Sequence, residues 1–465
     1  MQQMKRYSKA VAYGVAMMIL SLVTSYDVAA QTSAVSAYSP YTMYGVGELG
    51  VMGNAVNRSM GGVGVAWRSS QMVSMLNPAG YSATRQKSFI LDISAEGNFL
   101  RNTQRKYDAE GKYLRTAKNV MNSVNFRELA IQFPVAKGLG FGLSVAPYGS
   151  VGYELSTVEE SEDIWGTTGR ALYSYVGDGD LTEVKAGVGW EPFRGFSIGV
   201  AAKYYWGHIS HNYSTTISND YVGTNEYVST YGLDQYSISR FKFQVGMQWS
   251  VIANEKRLLT LGATYDYGGP LRPKVSKMMA IDDNKTTIIV SDDERGQMRL
   301  PHTVNAGVMY QDTQFSAGVD YEWQGWGGND GFHEENGYGG LSVRYRDTST
   351  IKAGFEYTPN RFDVRHYLRR VSYRVGGRYG QYYQQFGGSN INQWAVTAGF
   401  GFPLRFMGAT SIDIGVEVGG RGALASVVTS ETNRRIGLVK QNYFKVSLGL
   451  SLFGEDYWFV RPKFD

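Results

Sequence analysis

The chain has little with which to do acid–base or nucleophilic chemistry. Its five histidines, His208, His211, His302, His333 and His366, are scattered, whereas a hydrolase needs a nucleophile or activated water beside a histidine or a carboxylate pair. His208 and His211 stand three apart, a spacing that throws them to opposite faces of a strand, and both read as solvated loop residues. No H-E-x-x-H, G-x-S-x-G or cysteine-based metal spacing occurs. The acidic runs Glu159-Glu160-Ser161-Glu162-Asp163, Asp282-Asp283 and Asp292-Asp293-Glu294 could attract Ca²⁺ but lack the spacing of a defined site. Gly45-Val46-Gly47-Glu48-Leu49-Gly50 fits G-x-G-x-x-G, yet no hydrophobic strand precedes it and no helix follows. The expectation is no enzyme, no catalytic residue, no metal and no cofactor. What remains acts through the backbone: the glycines of residues 31–87, the triplet Asn77-Pro78-Ala79, and Pro147 with Gly149 and Gly152.

The elements around these residues are strands. Lys5, Arg6 and Lys9 precede an apolar run from Ala10 to Val23, and Val28-Ala29-Ala30 then offers small residues for cleavage; residues 1–30 read as a secretory signal peptide. Its apolar run is too short to span a bilayer as a helix, and no other stretch approaches the necessary length. From there the chain alternates. Phe196, Ile198, Val200, Ala202, Tyr204 and Trp206 interleave with Ser197, Gly199, Ala201, Lys203 and Tyr205, and Phe241, Phe243, Val245, Met247 and Trp249 interleave with Lys242, Gln244, Gly246, Gln248 and Ser250. The segments 315–323 and 444–452 repeat the pattern. Side chains of a strand point alternately to its two faces, so one face is apolar and the other polar. A secreted sandwich would alternate too, but many segments here end in aromatic residues (Tyr204, Tyr205, Trp206, Trp249, Tyr265, Tyr267, Tyr321, Trp323), as a membrane interface favours.

Fourteen strands are predicted, beginning near residues 88, 124, 140, 181, 196, 236, 257, 301, 314, 349, 371, 391, 410 and 441. Their connections mostly alternate short and long, which predicts an all-β, antiparallel transmembrane barrel in the outer membrane, with periplasmic turns, long outer loops and both termini periplasmic. The connection 359–370 is the long exception on the turn side; its Arg361, Arg365, Arg369 and Arg370 suggest a short helix below the barrel. With 57 glycines, 34 tyrosines and no cysteine, closure must come from backbone pairing. The net charge of +5, two of which belong to the leader, is too small to argue for nucleic acid. Tyr457-Trp458-Phe459-Val460 and Phe464 give the last strand an aromatic end of the kind read by barrel-assembly machinery.

Residues 31–87 do not alternate and hold Gly45, Gly47, Gly50, Gly53, Gly61, Gly62 and Gly64, which suits a plug packed in a confined space. The run Asn57-Arg58-Ser59-Met60-Gly61-Gly62-Val63-Gly64-Val65, followed by Met75-Leu76-Asn77-Pro78-Ala79-Gly80, resembles the N-terminal hatch of the FadL/TodX family of transporters for hydrophobic compounds. The resemblance implies a fourteen-stranded barrel plugged from the periplasmic side by residues 31–87, with residues 88–465 as the wall. It implies passive transport of long-chain fatty acids or other apolar compounds, released sideways into outer-membrane lipids. Asn77, Pro78 and Ala79 take the hatch role, with Gly61 and Gly62 as positions of close backbone approach. In the third strand Pro147 cannot donate to the ladder, and Gly149 and Gly152 loosen it further; the family opens its wall at a kink in its third strand, so these residues mark a lateral opening. The competing reading is a FadL-like barrel that serves as a shuttle or scaffold in protein secretion, with a secreted protein as partner. Tyr213, Tyr221, Tyr227, Tyr231, Trp326, Phe332 and Tyr338 would serve either a ligand mouth or such a partner. A general porin is disfavoured because a hatch would block water flow.

Overall fold

The computed structural model describes residues 39–108, 110–161, 169–219, 229–254, 256–281, 286–327, 342–404, 410–428 and 435–455. The signal peptide, the aromatic C-terminal end, and the loop residues Tyr221, Tyr227, Phe332, His333 and Tyr338 lie outside them. The wall is β1 (Ser88–Tyr107), β2 (Tyr113–Ala136), β3 (Leu139–Ser161), β4 (Gly169–Phe193), β5 (Phe196–Asn219), β6 (Thr230–Ala253), β7 (Arg257–Asp266), β8 (His302–Asp312), β9 (Phe315–Gly325), β10 (Thr348–Tyr357), β11 (Ser372–Phe386), β12 (Ser389–Pro403), β13 (Ser411–Arg421) and β14 (Val439–Glu455). Each strand runs antiparallel to its neighbours, and β1 pairs with β14 from Ser88 opposite Glu455 to Gln104 opposite Val439, which closes a fourteen-stranded barrel.

Alternation decides which face looks outward. On β6, Phe241 is 66 % and Phe243 60 % exposed, while Lys242 and Gln244 between them are 5 % and 3 %. On β5, Ile198, Val200 and Trp206 face out, and Ser197, Ala201 and Lys203 face in. The polar set lines the interior, and the apolar set forms an outer band suited to hydrocarbon. Tyr205 departs from its expected place in the interface belt: it points inward, and its hydroxyl donates to Glu183 at 2.6 Å. His211 departs as well, since it lies within β5 with Nδ1 2.6 Å from the Tyr153 hydroxyl rather than in a solvated loop.

One end of the barrel carries short turns, such as Lys137-Gly138, Arg194-Gly195 and Thr313-Gln314, and the other carries loops. The connection 358–371 on the turn end holds a single 3₁₀ turn, Tyr367–Arg370. Strands β1 to β6 are 20 to 25 residues long, about twice what a tilted strand needs to cross a bilayer, so they project beyond it at the loop end. There the hairpin Lys274–Ile281/Thr286–Arg295 adds to the wall by pairing Lys274–Ile281 with Thr230–Ser237 of β6.

Residues 39–87 fold inside the ring. They form a 3₁₀ turn (Pro40–Met43), a two-residue strand (Glu48–Leu49), a short helix α1 (Ala55–Ser59) and a second 3₁₀ turn (Pro78–Ala83). Asn54 caps α1: its side chain accepts from the Asn57 amide at 3.0 Å, and the Asn57 side chain accepts from the Asn54 amide in return.

Candidate functional site

Three layers are stacked in the lumen. The lowest, toward the turn end, is the greater part of the inner segment, held by the polar side chains that alternation aims inward. Asn77 is its central fastener. Its Oδ1 accepts from the Ala79 amide at 3.0 Å and so caps the 3₁₀ turn that Pro78 begins. Its Nδ2 donates to the carbonyls of Val65 at 2.9 Å and of Met247 on β6 at 3.0 Å. The triplet is therefore more than a turn: Asn77 and Ala79 are fully buried and bind segment to wall. The fit is close enough that a Cβ on Gly246 would stand 2.1 Å from the Asn77 Oδ1. Gly61 and Gly62 sit on the opposite side with φ of 72° and 91°, a region L-residues rarely adopt; the Gly61 amide donates to Thr397 Oγ1 of β12 at 2.9 Å.

Most of the remaining fasteners belong to the wall. The Asp320 carboxylate accepts from the amides of Gly64 and Val65 at 2.7 and 2.9 Å. Gln132 accepts from the Ser74 amide at 2.8 Å, Gln248 donates to the carbonyls of Val65 and Trp67, and the Lys185 ammonium donates to the Met75 carbonyl. Arg58 joins Glu128 at 2.6 Å in a buried ion pair and also donates to Ser94 Oγ at 2.6 Å. The sequence marks these side chains only as inward-facing and polar. Their partners lie up to some 250 residues away, as with Gly64 and Asp320, and no local pattern identifies them.

Above lies a cavity of about 1470 Å³, in part open to solvent, with a mixed lining that includes most of the lumen's charged side chains. Its charges are matched in pairs: Lys203 with Asp266 at 2.5 Å and Glu183 at 3.3 Å, Lys352 with Glu322 at 2.7 Å, Arg378 with Glu417, and Arg421 with Glu48 at 3.2 Å. Burial by itself would raise the Glu48 carboxyl, but Arg421 and Lys445 outweigh it and hold it below its ordinary value. The third layer, at the loop end, is apolar and aromatic. Tyr41, Tyr44 and Val46 of the inner segment pack with Val151, Tyr153, Leu181, Ile209, Trp326, Tyr345, Tyr383 and Phe386. Trp326, expected at a mouth, is buried here and stacks on Tyr383 at 4.4 Å.

The wall breaks beside that apolar layer. Strands β2 and β3 pair only from Leu129 opposite Val145 to Ala136 opposite Leu139, seven residue pairs at the turn end. Pro147 follows two residues later, and the pairing of β3 with β4 slips one residue between Pro147 and Gly149. Beyond this point the inner segment takes the edge that β2 has left. Leu49 and Glu48 pair with Gly149 and Ser150, the Gly50 amide donates to the Tyr148 carbonyl, and the Gly152 carbonyl accepts from the Ser39 amide at 2.8 Å and Thr42 Oγ1 at 2.9 Å. The expected opening residues Pro147, Gly149 and Gly152 thus share one stretch of edge. A cavity of about 600 Å³ lies along it, lined by Pro40, Met121, Tyr153, Leu155 and Val439 among others. The glycines Gly45, Gly47 and Gly50 belong to the same feature: Gly45 and Gly47 adopt positive φ to turn the chain onto this edge.

Among solved structures, a FadL homologue from Pseudomonas aeruginosa aligns with a TM-score of 0.56 at 13 % identity, over 88 % of this chain and 99 % of that one. The toluene transporter TodX of P. putida aligns with a TM-score of 0.50 at 13 % identity, over 86 % and 98 %. At such identities the likeness establishes the fold. No curated protein matches the sequence. The family model that matches is BamG, over residues 14–465. The barrel has the FadL/TodX-type fold, and the chain belongs to the BamG family.

Proposed function

We propose that this protein is an outer-membrane channel through which hydrophobic compounds, long-chain fatty acids among them, pass passively and leave sideways into the membrane. The observation that carries the reading is the end of β2–β3 pairing at Val145, beside Pro147. An apolar guest entering from the loop end meets the aromatic layer first. Below that layer it would displace water from paired charges and gain nothing from them, so the charged cavity and the segment 39–87, acting as a hatch, bar the way to the periplasm. The break that begins beside Pro147 offers a lateral exit through the wall. TodX, whose fold this barrel shares, is a toluene transporter, which fits the same class of guest.

A second reading, a shuttle or scaffold in protein secretion, is favoured by one specific observation: the cavity in the middle of the lumen is lined by ion pairs such as Lys203 with Asp266 and Lys352 with Glu322. Lipid mass spectrometry on protein purified from its native membrane in mild detergent, alongside a variant lacking residues 31–87 and a Pro147→Val variant, separates the two. Transport predicts a fatty acid or other apolar compound bound to the intact protein and lost from the deletion variant, together with slower uptake by Pro147→Val. An empty barrel that brings down a stoichiometric protein partner, with uptake untouched by Pro147→Val, replaces transport with the scaffold reading.

A further inference from the structure

The connection 358–371 is unlike the other turns of its end. It is long, internally braced and apolar at its surface: Phe362 is 90 %, Val364 77 % and Leu368 69 % exposed. Bracing comes from two short side chains. Asn360 Oδ1 accepts from the Phe362 amide at 3.0 Å, and Asp363 Oδ1 accepts from the amides of Arg365 and His366, both at 2.8 Å. The Asn360 amide donates to the Arg369 carbonyl at 2.7 Å, closing the loop on itself. Three large apolar side chains are therefore held outward by design of the backbone rather than left there by disorder, although each would gain from leaving water.

What faces them follows from how the loop is tied to the wall. Tyr373, at the start of β11, pairs with Tyr357 and Phe400, both outward-facing rings, and packs against Phe400 at 5.8 Å. Its hydroxyl donates to the Leu368 carbonyl at 3.1 Å, and the Tyr367 hydroxyl donates to the Pro403 carbonyl at 3.3 Å. The loop is thus fastened to the lipid-facing side of the rim, at the ring belt that marks a membrane boundary. Arg361, Arg365, Arg369 and Arg370 flank the apolar residues along the chain; Arg361 pairs with Glu356 at 3.3 Å, Arg369 with Asp363, the loop's one acidic side chain, at 3.4 Å, and Arg370 lies over the Tyr367 ring, while Arg365 is exposed. Apolar side chains at a boundary ringed by arginines form the arrangement that inserts among acyl chains and pairs with phosphate headgroups.

We propose that the connection 358–371 is a phospholipid-binding surface. Phe362, Val364 and Leu368 enter the acyl boundary of the leaflet on the turn side, and Arg365 with its neighbours binds anionic headgroups. The surface is separate from the wall break and independent of what, if anything, the barrel transports.

Because the chain has no cysteine, single cysteines report cleanly. Phe362→Cys and Leu368→Cys, with Lys112→Cys on the loop end as an aqueous control, are labelled with an environment-sensitive fluorophore. Each is reconstituted in nanodiscs of phosphatidylethanolamine with or without phosphatidylglycerol. The expected result is blue-shifted emission at 362 and 368, quenching by nitroxide-bearing lipid and protection from aqueous iodide, with none of these at 112. Adding Arg365→Gln should abolish the part of that quenching which depends on phosphatidylglycerol. Probes at 362 and 368 as open to iodide as the probe at 112 would overturn the proposal. So would probes shielded from iodide and nitroxide lipid alike, which would mean that protein covers the loop.

Discussion

At the scale of single residues, the inner segment is secured by a few buried polar groups, several of which serve more than one partner. Asn77 is the clearest case, since it caps its own turn and also satisfies carbonyls of Val65 and Met247. Replacing it with alanine removes the acceptor of the Ala79 amide and a donor from the Met247 carbonyl, while Val65 keeps its bond from Gln248, at about 1–3 kcal/mol for each buried group left unsatisfied. Asn77→Ala is therefore expected to lower the midpoint of thermal unfolding in detergent, followed by the loss of compact migration on unboiled gels. An unchanged midpoint would show that these bonds carry no net stability. Asn77, Pro78, Ala79, Gly61 and Gly62 were legible through the resemblance to the FadL/TodX hatch, in which Asn-Pro favours a turn and Gly-Gly permits backbone conformations that other residues avoid. The sequence left Asp320, Gln132, Lys185 and Glu128 unremarked, because an inward polar residue on a barrel strand looks the same whether it meets water or a folded segment.

Among the elements, the inner segment and β3 are the informative pair. The edge of β3 beyond Pro147 has a strand partner only because Glu48–Leu49 has been laid along it, and Arg421 holds Glu48 there. The Glu48 carboxyl titrates below its ordinary value, so its contribution is complete above the ordinary range, near pH 4, and is lost as the pH falls through the lower folded value. Acidification below about pH 4 should then loosen residues 39–50 from β3, seen as new cleavage by pepsin in that segment. A Glu48→Gln variant should show the same cleavage already at higher pH, within pepsin's working range. Protection that is identical in both proteins at every pH would remove the ion pair from the account. Strand number and order were legible because lipid on one face imposes a period of two. The extra length of β1 to β6 and the hairpin Lys274–Ile281/Thr286–Arg295 were not, since strands standing clear of the membrane have water on both faces and segments such as Arg105-Lys106-Tyr107 need not alternate.

For the whole molecule, three stacked layers across one lumen predict a barrel closed to ions. In planar bilayers the intact protein should show no large steady conductance, and the form without residues 31–87 should show one, because the aromatic layer loses Tyr41, Tyr44 and Val46 together with the inner segment. Steady conductance by the intact protein would contradict the layered lumen. The seam between β1 and β14 bears on how such an object is made. It joins residue 88 to residue 455, so the final ladder of hydrogen bonds cannot begin to form until the last strand has been synthesised, and pairing over so great a separation is intrinsically slow. The inner segment precedes β1 in the chain, so it is available to the sheet before that seam can close. Assembly order is thereby written into connectivity: the chain curls around its own beginning, and any agent that holds the two edge strands apart keeps the interior accessible for as long as it stays bound.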